Sequence, residues 1–107
     1  MIRVIEYLDR QGGSPFATWF VAFEARAASM ARVALDRIAQ GNLSNVKGVG
    51  GGWLEYRIDY GPGYHIHFGR DGDQLVILLA GGTKKRRQAD IDAAQERWRD
   101  YKLRKGS

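Results

Sequence analysis

The chain has 107 residues, enough to bury one hydrophobic core but not two, so residues 1–107 are read as a single domain. It contains no cysteine, which excludes disulfides, thiol nucleophiles and cysteine-ligated metals. No apolar run approaches the roughly twenty residues of a membrane helix, and the opening MIRVIEYLDR is charged near its start with no signal-peptide core. A cytoplasmic protein with no membrane partner is the expectation. The net charge of +5 is unevenly placed: residues 1–83 carry eight basic and eight acidic side chains, residues 84–107 nine basic and four acidic. A basic segment on a neutral body points to a polyanionic partner, nucleic acid first, with a solvated Lys/Arg-rich helix face as the plain alternative.

Residues 2–7 (IRVIEY) read as a short first strand, rich in β-branched side chains. Gly12-Gly13 end it, and Ser14-Pro15 has the form of a helix start, with Ser14 as N-cap and Pro15 at the first helical position. Phe16, Trp19, Phe20 and Phe23, then Ala27, Met30, Ala31, Ala34, Leu35 and Ile38, follow helical spacing to about Gln40, where Gly41-Asn42 close the segment. Periodicity leaves open one long helix or two, with a turn near residues 24–28. An aromatic stripe at this spacing is core rather than a cofactor pocket. Residues 43–52 read as a glycine-rich connector; no Gly-Lys-Ser/Thr follows, so it is not a phosphate loop.

Three strand-like runs come next: WLEYRIDY, YHIHFG and QLVILLAGG, separated by Gly61-Pro62-Gly63 and Asp71-Gly72-Asp73. The two turns predict two antiparallel hairpins. The last run is apolar throughout and belongs in the middle of a sheet, covered on both faces. From about Gln88 to Arg104, Ile91, Ala94, Trp98 and Tyr101 fall at helical spacing. The expected fold is an α+β domain of order β-α(-α)-β-β-β-α, a mainly antiparallel sheet with helices packed on one face and the other face free for a partner.

Strand alternation places Glu55 and Arg57 on one side of the first hairpin, with His65 and His67 on the same side of the returning strand. A turn centred on Pro62 sets Arg57 opposite His65 and Glu55 opposite His67. Histidine exchanges protons near neutral pH, a carboxylate accepts one, and arginine binds phosphate oxygens bidentately. RNA supplies its own nucleophile, the 2′-hydroxyl, so such a face can cleave it with no metal and no cofactor. The plain reading is an ordinary polar cross-strand pair on a solvated face. His65 and His67 are two apart and offer the start of a metal site, but no third ligand is evident, and none is expected.

WLEYRIDYGPGYHIHF followed by LLAGGTKKRRQADI resembles the RelE/ParE toxin superfamily, in particular the addiction-module killer branch related to HigB. That branch typically reads x-x-E-L-R-I-x-x-G-P-G-Y-R-I-Y-F, an apolar strand, then G-G-x-K-[ST]-x-Q-x-x-D-I and a terminal amphipathic helix. The upstream F-x-x-W-F at Phe16–Phe20, Gly41-Asn42 and Lys47-Gly48-Val49-Gly50 match as well. The resemblance implies a RelE-like fold and the toxin of a type II toxin–antitoxin pair, cutting mRNA on the ribosome and silenced by a cognate antitoxin, a helix-turn-helix protein similar to HigA. Arg57 matches the strand arginine and Lys84 the lysine after the Gly-Gly strand end. His65 stands where the family carries arginine and His67 where it often carries tyrosine, so His65 replaces a permanently charged phosphate ligand with a proton carrier.

The resulting assignment gives Arg57 and Lys84 to phosphate stabilisation and His65 and Glu55 to proton transfer. Lys47, His67, Lys85, Arg86, Arg87, Arg97 and Lys102 are assigned to RNA contacts. Two other readings share the fold: a ParE-like toxin that binds and poisons DNA gyrase without cutting RNA, and a silent relative kept as a partner-binding module.

Overall fold

The computed structural model describes residues 2–22, 25–49 and 51–106. Phe23 of the expected aromatic stripe, Glu24 at the expected helix turn and Gly50 of the glycine cluster lie outside them. The elements are β1 (Arg3–Glu6), α1 (Pro15–Val21), α2 (Ala25–Ala39), β2 (Val46–Gly48), β3 (Trp53–Ile58), β4 (Tyr64–Arg70), β5 (Leu75–Thr83), a 3-10 turn (Lys84–Arg86) and α3 (Arg87–Lys105). Among the described residues, no helix is long and apolar enough to cross a membrane.

The helical segment is thus two helices. The first starts as its sequence dictates, with the Ser14 hydroxyl accepting the Ala17 N–H at 3.0 Å and Pro15 at the first position. The sheet has the order β1-β5-β4-β3-β2, with β1 parallel to β5 and the other neighbours antiparallel. Strand β5 is interior, between β1 and β4, and covered on both faces as its apolar run requires, while β4 is the middle strand. Strand β2 falls inside the expected connector; three residues with no alternation give no periodic signal, and it exists by pairing with β3.

The helices cover both faces, which corrects the one-face expectation. Helices α1 and α2 cover Tyr56, Ile58, Ile66, Phe68, Val76 and Leu78. Helix α3 lies across the opposite face, packing Ala94 and Trp98 with Tyr7, Trp53, Ile77 and Leu79. A strand that is apolar on both sides needs cover on both, and the two apolar helix stripes supply it. Hydrogen bonds pin α3 along its length. Arg97 donates to the Leu79 carbonyl at 2.9 Å, Tyr7 to Asp100 at 2.7 Å, and Tyr101 to Asp71 at 2.7 Å.

A bulge in β5 sets the phase of the strand end. His67 pairs with Ala80 and Phe68 with Leu78, so Leu79 is an extra residue. Beyond it, Gly81 faces α1 and Gly82 faces α3. A methyl group on Gly81 would lie 2.2 Å from the Trp19 ring. Gly81→Ala is therefore expected to cost about 1–3 kcal/mol by overpacking. Urea unfolding checks this: the midpoint should fall while the slope stays unchanged.

Candidate active site

The hairpin register is the expected one. Arg57 pairs with His65 and Glu55 with His67, because the Gly-Pro-Gly turn places its two glycines at φ of +57° and +83° and closes the loop tightly. The backbone N–H of Lys84 donates to the Gly63 carbonyl at 3.0 Å, tying the 3-10 turn to the hairpin tip. Helix α3 begins immediately afterwards and brings Arg87 and Asp90 over the same face.

Glu55, Arg57, Asp59, His65, Lys84 and Arg87 consequently meet at one cleft of about 330 Å³. All four residues expected to be catalytic line it. Arg87, expected only as a backbone contact for RNA, lines it as well. It supplies a second guanidinium to the cleft that His65 also lines.

The face is not solvated as expected. Glu55, His65 and His67 are all buried beneath α3 and Trp53. Glu55 is 0% exposed and its carboxylate is fully engaged. Oε1 accepts from Arg57 Nε at 3.1 Å, and Oε2 accepts from His67 Nε2 at 2.9 Å and Arg87 Nε at 3.0 Å. Burial alone would raise its pKa, but the hydrogen bonds from His67, Arg87 and Arg57 prevail and hold it at about 2. A carboxylate so held is a poor base at neutral pH and a firm anchor for two guanidiniums. Those guanidiniums reach the surface: the Arg57 side chain is 57% exposed and that of Arg87 35%.

An ionised Glu55 can only accept, so His67 carries its proton on Nε2. Its Nδ1 is buried without a hydrogen-bond partner among the described residues. Burial pushes the His67 pKa below its ordinary value, against the opposing pull of Glu55. The ring lies between Trp53, edge-on at 5.0 Å, and His65, stacked at 4.5 Å. His67 is 0% exposed and does not reach the surface, which corrects its assignment as an RNA contact. His65 donates from or accepts at Nε2 with Asp90 Oδ2 at 3.1 Å.

The other expected RNA contacts divide. Lys85 and Arg86 are exposed in the 3-10 turn between Lys84 and Arg87, which line the cleft, and Lys47 on β2 lines an adjoining hollow that shares Arg57 and Asp59. Arg97 and Lys102 do not join them. Arg97 bonds the Leu79 carbonyl, and Lys102 sits over the Trp98 ring at 5.5 Å. Sequence reasoning gives Asp90 no role although it is the aspartate of the quoted D-I pattern; its contact with His65, 25 positions away, comes only through the docking of α3.

Glu55, His65 and His67 each offer a ligand atom within 4.8 Å of the others. A cation there would have to displace the hydrogen bonds of a carboxylate already neutralised by two guanidiniums, so the donor set is poorly suited to a metal.

The fold and the site together define an α+β protein with a cationic cleft built on a buried carboxylate and flanked by a histidine–aspartate pair. No family model matches the chain. Over 81 residues it is 35% identical to an uncharacterized protein of Haemophilus influenzae (strain ATCC 51907 / DSM 11121 / KW20 / Rd), covering 75% of this chain and 82% of that protein. The chain belongs to the same family as that Haemophilus protein.

Proposed function

We propose that this protein is the toxin of a type II toxin–antitoxin pair, acting in the cytoplasm as a ribosome-dependent mRNA endonuclease of RelE-like fold. The observation that carries this reading is the convergence of Arg57, Lys84, Arg87 and His65 on one cleft. Three cations there match the charge that builds on the phosphate oxygens in the transition state. A histidine beside them, hydrogen-bonded to Asp90, offers a ring nitrogen for proton transfer.

The reaction balances without metal or cofactor. The 2′-hydroxyl loses its proton and its oxygen attacks phosphorus. The bond from phosphorus to the 5′-oxygen breaks, and that oxygen takes up a proton. The products are a 2′,3′-cyclic phosphate and a 5′-hydroxyl end. Arg57, Arg87 and Lys84 hold the phosphate, His65 accepts the 2′-hydroxyl proton, water protonates the departing 5′-oxygen, and Glu55 aligns the two arginines.

The cognate antitoxin, a helix-turn-helix protein similar to HigA, would silence the enzyme by covering the cleft with acidic or apolar segments. Analysis of the RNA ends tests the chemistry. Fragments ending in a cyclic phosphate are expected, and 5′-phosphate ends would overturn the mechanism.

Lys85 and Arg86 are exposed beside the cleft and bind RNA through charge alone in this reading. Replacing both with alanine should weaken RNA binding without sequence bias. The salt dependence of binding should flatten by roughly 0.7 in log–log slope for each phosphate no longer neutralised. Fluorescence anisotropy across a salt series reads that slope directly.

A further inference from the structure

Asp90 lies in the first turn of α3 and is only 16% exposed, with Oδ2 at 3.1 Å from His65 Nε2. Its position is built into the sheet. A methyl group on Gly82 would fall 1.8 Å from Asp90 Oδ2, so the carboxylate occupies the space that any other residue at position 82 would fill. The β5 bulge turns Gly82 towards α3 in the first place. Bulge, glycine and helix start thus act together to set a carboxylate on one nitrogen of His65.

The neighbours leave the imidazole little other freedom. His67 stacks on its face, Arg57 is its cross-strand partner, and Glu55, Asp59, Lys84 and Arg87 share the cleft it lines. A carboxylate at Nε2 favours the tautomer with its proton there. Nδ1 is then the nitrogen left to accept a proton.

We infer that Asp90 is the positioning residue for His65, holding the proton on Nε2 so that Nδ1 serves as the base for the 2′-hydroxyl. This rests on the nuclease reading above. The role parallels the carboxylate that orients an imidazole in hydrolytic triads, where the wrong tautomer is inactive although the geometry is kept.

Two readouts on the same proteins test the inference separately from the reaction. Long-range proton–nitrogen NMR of the histidine-labelled full chain reports the His65 tautomer whether or not the protein cuts RNA. The wild type should show the Nε2–H form. Asp90→Asn and Gly82→Ala, which alter the contact from opposite sides, should each populate the Nδ1–H form at His65 while the His67 signals stay in place. In ribosome-bound mRNA cleavage, kcat should fall roughly 10–100-fold, a part of the roughly 10²–10⁴ that a positioned general base contributes, with KM nearly unchanged.

An unchanged His65 tautomer in a folded variant would overturn the inference. A changed tautomer with full kcat would also overturn it, because the orientation would then be idle. A wild type that shows the Nε2–H form yet never cleaves RNA would remove the nuclease reading and this role with it, while leaving the contact itself established.

Discussion

Arg57→Ala is expected to slow mRNA cleavage about 10²–10³-fold, the loss typical when one preorganised donor to a developing oxyanion is removed. The fold should survive. More than half of the Arg57 side chain is exposed, and Glu55 keeps Arg87 and His67 as partners when Arg57 is gone. Lysine is not expected to rescue the activity, since a point charge on a flexible stem cannot reproduce a planar guanidinium held by Glu55. Steady-state cleavage with purified ribosomes, read beside thermal unfolding, separates the two effects. A folded Arg57→Ala protein with wild-type activity would remove Arg57 from the mechanism.

Glu55→Gln should be the most destabilising change in the site. Glu55 is buried, and four hydrogen bonds from three residues converge on its two oxygens. An amide turns an NH₂ group towards those donors and leaves the buried His67 N–H without its acceptor, while the two half-exposed guanidiniums turn to solvent. An unsatisfied buried donor costs about 1–3 kcal/mol. At about 4 °C per kcal/mol for a domain of this size, Tm should fall by roughly 4–12 °C. Activity should fall too, because Arg57 and Arg87 lose their common anchor.

Glu55 and His67 together shape the acid limb of stability. Glu55 has a folded pKa of about 2, below its ordinary 4.5, so its contribution is complete above pH 4.5 and is lost as pH falls towards 2. That component should be absent from Glu55→Gln. His67 acts earlier in the descent. Burial lowers its pKa below the ordinary 6.5, so the unfolded chain takes up a proton that the folded one refuses, and stability declines as pH falls below 6.5. Urea unfolding at a series of pH values checks both limbs. A variant with the same acid limb as the wild type would contradict the assignment to Glu55.

The hairpin and its cross-strand pairs are legible in the chain because a two-glycine turn and strict alternation leave one sensible register. The first helix is legible for a similar reason, since Ser14-Pro15 marks its start and Phe16 its buried face. The burial of Glu55, His65 and His67 is not. A strand face bearing a carboxylate, an arginine and two histidines has the composition of a solvated surface. Only the docking of α3 takes it out of water. The signal for that cover lies in the apolar stripe from Ile91 to Tyr101, which needs a face of its own, and in β5, which is apolar on both sides. Arg87 and Asp90 enter the site through the start of α3, a long-range placement that local periodicity does not encode. Strand β2 escapes for another reason: it is too short to show alternation.

The decisive measurement is primer extension on a defined mRNA after incubation with the purified protein, with ribosomes present in one arm and absent in the other. Discrete cleavage with ribosomes and intact mRNA without them is the expected outcome. Intact mRNA in both arms, with translation unimpaired and gyrase supercoiling blocked, would contradict the nuclease reading and establish a gyrase poison in its place.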